Sequence, residues 1–244
     1  MALMLTLATL TATACVAAFA PAVWVADCIA ASSVLRLLFV QGTVWEGSAA
    51  LALAQGNEVH LLPGRIDWRF TAGDHWREPL ALELRHAGVD EALRVIMAPG
   101  ALRIAAGSGR VPASILEALG APFNTVRPGG DLVLRWSDVR ISKDGPRGRL
   151  QVRWNDARSA LSPVAPLGDY VLSAHAADTG GNATLTTVGG VLLLDGRGTM
   201  DRSVMRFEGR ARAAHSANES LGALLGVLGK RKGDDVLLEW EIRR

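Results

Sequence analysis

The residue types able to do chemistry are present in this chain but scattered. The five histidines are His60, His75, His86, His175 and His215. A helical metal pair puts two ligands at i and i+4, so that both side chains reach one ion. None of the five has a histidine or carboxylate at that spacing on a convincing helical segment. Gly107-Ser108-Gly109 sets a serine between glycines, but the strained elbow that exposes a nucleophile needs glycine at position 106, where alanine stands. The serine segment therefore reads as a turn. Gly229-Lys230 fails as a phosphate cradle, because Leu224 and Arg231 occupy the positions that need glycine and Ser/Thr. Gly196-Arg197-Gly198 has Asp201 where a dinucleotide loop needs its third glycine, and Asp234-Asp235 reads as a solvated turn. No catalytic residue, metal ligand or cofactor is expected from these patterns.

The elements that would have to position such groups read as strands. Leu80–His86, Leu132–Ile141 and Leu150–Trp154 alternate apolar and polar residues, the period of a half-buried strand. Turn signals separate the runs: Pro63-Gly64, Ala72-Gly73-Asp74, Pro128-Gly129-Gly130-Asp131, Lys143-Asp144-Gly145-Pro146, Gly180-Gly181-Asn182, Gly189-Gly190 and Gly233-Asp234. Their spacing fits an antiparallel meander and leaves no room for a crossover helix between strands. Leu185–Leu194 reads as a hairpin through Gly189-Gly190, followed by strands at Met205–Ala213 and Val236–Ile242. Two segments break the pattern. Ala113–Leu119 follows Pro112 and ends at Gly120, the signature of a short helix. Ser216–Leu228 sets Leu221, Leu224, Leu225 and Leu228 on one helical stripe, with Lys230-Arg231-Lys232 beyond its end. The stripe reads as packing against the sheet. Six of the seven tryptophans follow Gly42, so the sheet must either curve to bury an aromatic face or leave an apolar groove.

Charge and cysteine set limits. The 244 residues carry a formal net charge of +2, and the densest basic run is three residues long, which is no footprint for nucleic acid. Both cysteines, Cys15 and Cys28, precede Gly42, so a disulfide framework or cysteine zinc site is excluded from the rest of the chain.

Residues 1–41 contain only Asp27 and Arg36 as charged side chains. About 20 apolar residues cross a bilayer as a helix, and Leu3–Val25 meets that length. The expectation is an anchor over 1–41 and one β-rich domain over 42–244. A signal peptide cut after Ala18-Phe19-Ala20 competes, although Pro21 opposes cleavage there. A lipoprotein signal at Cys15 lacks the preceding leucine it needs. No Lys or Arg precedes Arg36, so the positive-inside rule has nothing to count on that side, and a cytoplasmic domain remains the rival orientation.

Two stretches carry a family resemblance: Gly42-Thr43-Val44-Trp45-Glu46-Gly47-Ser48-Ala49 and Asn155–Tyr170, the latter containing Ser162-Pro163-Val164-Ala165-Pro166-Leu167-Gly168. With Gly190–Leu194, Phe207-x-Gly209 and the leucine-rich helix, the chain resembles protein N of the bacterial type II secretion system and, more distantly, AsmA-like envelope proteins. The resemblance implies a non-enzymatic accessory subunit in the inner membrane with its β-rich domain in the periplasm. Its partners would be other components of that machine, with lipid as a further possible partner. Function readings from other classes stay open: a lipid-binding or lipid-transfer module, and a hydrolase with a dispersed site. Gly42, Trp45, Gly47, Ser162, Pro163, Pro166, Leu167 and Gly168 are the candidate contact or structural residues. Trp45 reads equally as a bilayer-interface or a sheet-core tryptophan, while Pro163 and Pro166 forbid regular structure and make an extended crossover.

Overall fold

Alternation at period two becomes strand along most of the chain. The computed structural model describes residues 19–32, 35–55, 58–76, 78–178, 180–201, 204–214, 217 and 219–243. Among them lie β1 (Leu35–Gly42), β2 (Glu46–Gln55), β3 (Glu58–His75), β4 (Glu78–His86), β5 (Leu93–Ala98), β6 (Ala101–Ile104), β7 (Gly107–Pro112), β8 (Pro128–Trp136), β9 (Val139–Ser142), β10 (Gly145–Ser159), β11 (Gly168–Ala177), β12 (Gly180–Gly190), β13 (Leu192–Met200), β14 (Val204–Ala213), β15 (Lys230–Lys232) and β16 (Asp235–Arg243). The helices are short: α1 (Val23–Ser32), a 3₁₀ helix (Ala113–Leu119), α2 (Phe123–Val126) and α3 (Gly222–Leu228).

All strands pair antiparallel in one sheet that is, in effect, a meander. Ile104 opposes Val139 and Gly107 opposes Trp136, so the same register runs through the break in both strands. β6–β7 and β8–β9 are thus the two arms of one long hairpin, kinked together. The kink is held by the Ala106 amide on Asp138 Oδ1 (3.0 Å) and by Trp136 Nε1 on the Ala105 carbonyl (2.9 Å). β10 lies along the whole second arm, pairing first with β9 and then with β8. Only the C-terminus departs from sequence order, where β16 enters between β14 and β15. β1 and β15 stand at the two ends of the order and no pairing closes them among the described residues, so the sheet is open. So wide a twisted sheet curls. The 3₁₀ helix, in the loop of the long hairpin, packs on β2 and β3 as well as on β8.

The core lies under the other half. Leu221 at the cap of α3, with Leu224 and Leu225 within it, meets Tyr170, Leu192, Ala211, Val236 and Leu238 from the strands, with Trp154 and Phe207 packed against them. The expected packing role of the leucine stripe therefore holds. The helix itself is shorter than the expected Ser216–Leu228, because Gly222 begins it and the chain enters through turns from Ala217; Ser216 and Asn218 lie outside the described residues. Lys230-Arg231-Lys232 does not extend the helix end. Gly229 is fully extended, at φ 172°, and directs the three into strand β15.

Several turn signals sit inside strands. Pro63-Gly64 and Ala72-Gly73-Asp74 fall within β3, at shifts of register against β2 and β4. Gly107-Ser108-Gly109 is strand β7, not a turn: the glycines there admit the Trp136 ring and the Gly88 carbonyl, each 2.6 Å from where a Cβ would stand. Local composition marks these glycines correctly as places without a side chain. The backbone uses them for close approach instead of reversal.

Before β1, the buried Ala22 and Ala26 share one face of this entry segment, and α1 packs on β1. Residues 1–18, which include most of the apolar run Leu3–Val25, lie outside the described residues. No helix among the described residues is long and apolar enough to cross a membrane.

Tyr170 is the only tyrosine and is 2% exposed. Its hydroxyl donates to the Leu192 carbonyl at 2.9 Å, and its ring lies 5.8 Å from Trp154. Burial, assisted by Asp169, pushes the phenol pKa well above its ordinary value. The unfolded chain ionises near pH ~10 while the folded chain does not, so this residue's contribution is complete below that pH and is lost as pH rises above it. Tyrosinate absorbance is expected to stay silent past pH ~10 until the protein unfolds. An ordinary titration of a still-folded protein would show the phenol to be accessible.

Candidate functional site

The candidate residues form two structural groups. In the first, Gly42 and Gly47 are register partners across the β1–β2 corner. A Cβ on Gly42 would enter the Glu46 carbonyl and one on Gly47 the Gln41 carbonyl, so both positions need the bare backbone. The corner is latched by Trp68, whose Nε1 donates to the carbonyls of Thr43 (3.2 Å) and Val44 (3.1 Å). Trp45 is 42% exposed and sets its ring edge-on to Phe70 at 5.7 Å. It is partly packed on the sheet, with an exposed remainder. An open pocket of about 440 Å³ adjoins the corner, lined by Glu46, Asp67, Arg69, Glu83 and Arg85 among others. Opposite charges meet across its strands, as in the Arg69–Glu46 pair at 2.5 Å, and both members are exposed and weakly coupled to stability.

The second group is the crossover from β10 to β11. Ser162 Oγ accepts from the Val164 amide (3.1 Å) and donates to its carbonyl (3.0 Å), closing a turn ahead of Pro166. Leu167 is 3% exposed; its amide donates to the Ala157 carbonyl (2.7 Å), and its carbonyl accepts from Val191 (2.9 Å) and Leu192 (3.0 Å). Gly168 pairs with both Ala157 and Gly190. The segment is an extended, ordered crossover that ties β10 to the β12–β13 hairpin. The two groups are not brought together, for one lies at the β1 end of the sheet and the other beside β11. Sequence patterns had not singled out Ser159, which is 7% exposed and donates to the Val126 carbonyl at 2.6 Å while accepting from Leu161 at 3.1 Å. Nor had they shown Asp169, which holds the Asp156 amide at 2.8 Å.

The dispersed chemistry stays dispersed. Ser108 donates to Asp90 at 2.7 Å, but the neighbouring His86 has one ring nitrogen on the Pro63 carbonyl (2.9 Å) and the other accepting the Gly88 amide (2.9 Å). That ring is a strap between loops and has no nitrogen left to activate a hydroxyl. His175 stands exposed on β11; the side chains of His60, His75 and His215 lie outside the described residues. No cluster of three His, Cys, Asp or Glu side chains that could hold a metal occurs among the described residues.

Compared with known families, residues 35–237 match the model described as type II secretion system (T2SS), protein N. The chain belongs to this family. The match runs from the start of β1 into β16, so protein N membership spans both candidate groups and the whole meander. No curated protein and no solved structure matches the chain. Membership assigns a type II secretion accessory role and implies contact with other components of that machine. The corner glycines and the crossover are among the places where this chain's backbone admits no side chain or must make two bonds at once.

Proposed function

We propose that this protein is an accessory, non-enzymatic subunit of type II secretion that works through protein contacts. In this reading a segment within residues 1–41 anchors it in the inner membrane and the domain from Gly42 onward lies in the periplasm. The observation that carries the reading is the protein N match over 35–237. The uncharged run before Asp27 supports the anchor, since its length suits a bilayer core. Asp27 and Arg36 then fall near the interface, where a charge is far less costly than at the centre. Exposed Phe19, Val23 and Trp24, at 76%, 49% and 53%, fit the same boundary, where amphipathic aromatics collect.

Deleting the gene is expected to leave type II substrates in the periplasm, measured as the ratio of exported to retained enzyme. Normal export overturns the reading. Protease added to spheroplasts should digest the domain; a domain that survives until detergent is added faces the cytoplasm. Phospholipid retained by the purified protein in native mass spectrometry would favour a lipid-binding module instead.

A further inference from the structure

The net charge of the chain hides a separation. Residues 93–159 hold eleven Lys/Arg against five Asp/Glu, a local charge of +6, while the whole chain is only +2. Register then sorts these arginines to one side. In β10 the apolar Leu150, Val152 and Trp154 alternate with Arg147, Arg149, Gln151 and Arg153. Across the hairpin, Arg140 opposes Arg147, Arg135 opposes Gln151, and Val133 stands between Arg110 and Arg153. Arg110, Arg135, Arg140, Arg147, Arg149 and Arg153 therefore share the face opposite the apolar one, and all six are exposed.

This arrangement works against stability. Like charges directly opposite on neighbouring strands repel, and Arg103, Arg140 and Arg147 stand in one cross-strand row. Asp178 pairs with Arg147 and is also held down in pKa by Arg140, register places Asp131 on this face, and Asp90 is held there by Ser108, the residue opposite Arg135. Arg110, Arg135 and Arg149 form no ion pair among the described residues. An anion arriving from outside would relieve the repulsion, and a guanidinium binds a carboxylate with two parallel bonds.

We propose that this arginine face of β7–β10 docks an acidic segment of a partner protein. The choice of a protein over a bilayer rests on the family reading above, which implies contact with other components of the secretion machine. The partner segment is extended and rich in Asp and Glu, with carboxylates spaced to meet successive strands.

The test uses the full chain in zwitterionic nanodiscs, with a labelled peptide of alternating Asp and Gly as probe. A triple variant R135Q/R149Q/R153Q is compared with R197Q/R210Q/R212Q, three arginines on β13 and β14 that alternate with Asp195 and Glu208. The first variant is expected to bind the peptide at least about tenfold more weakly and to reduce export in cells at unchanged protein level, while the second does neither. Equal loss in both variants, or unchanged export with the first, overturns the proposal. Phosphatidylglycerol vesicles bound by wild type and lost by the first variant, with no peptide effect, would make the face a lipid surface and overturn the choice of partner. Failure of the chain to float with nanodiscs would count against the anchor alone.

Discussion

Replacing Gly190 by alanine is expected to remove about 2–6 kcal/mol of stability, from about 1–3 of backbone strain and about 1–3 of forced overpacking. Gly190 has φ 133°, a conformation L side chains rarely adopt. A Cβ there would fall inside the Gly168 Cα and the Leu167 carbonyl oxygen, both backbone atoms that no rotamer change can move. The same carbonyl accepts the amides of Val191 and Leu192, so yielding at this point breaks two hydrogen bonds. Typical domains are stable by only 5–15 kcal/mol, and the variant should lose most of its soluble, folded fraction. Urea midpoints measured for Gly190→Ala and for Gly189→Ala separate close approach from simple glycine loss. Gly189 has open space where a Cβ would stand, so its variant should be near wild type. Equal midpoints for the two would refute the close-approach account.

Leu224→Ala is expected to cost about 2–5 kcal/mol, the range for emptying a buried leucine site. Leu224 is 1% exposed within α3 and belongs to the cluster that contains Tyr170, Leu192 and Val236. Val227, on the same helix, is 38% exposed, and truncating it should cost less than about 1 kcal/mol, as its area already meets water. Thermal melts of the two variants give the comparison. Similar shifts would mean that α3 is only loosely seated and that the core lies elsewhere in the sheet. Because the apolar cluster under this half draws on β10–β14, β16 and α3, the loss should be cooperative and should extend to β10 and β11.

The two predictions touch features of different legibility. Gly190 was visible as half of a turn signal, and Gly168 as the end of a specific stretch. That the two are register partners, each excluding the other's side chain, depends on β11 pairing with β12. Leu224 was visible through helical spacing alone, and its packing role followed because an apolar stripe beside a sheet has few other places to go.

By itself the sequence determined the β class, through period-two alternation that only one backbone periodicity can satisfy, and the family, through residues whose spacing is linear along the chain. It also marked Ala113–Leu119 and the leucine stripe, because helix signals are local. The tertiary structure alone decided that Gly107–Gly109 is strand, that β6–β7 and β8–β9 are one kinked hairpin, and that arginines from three parts of the chain form one face. Strand pairing is non-local: a residue's opposite neighbour is set by the register of another segment, and a shift of one residue would move every one of those arginines to the other side.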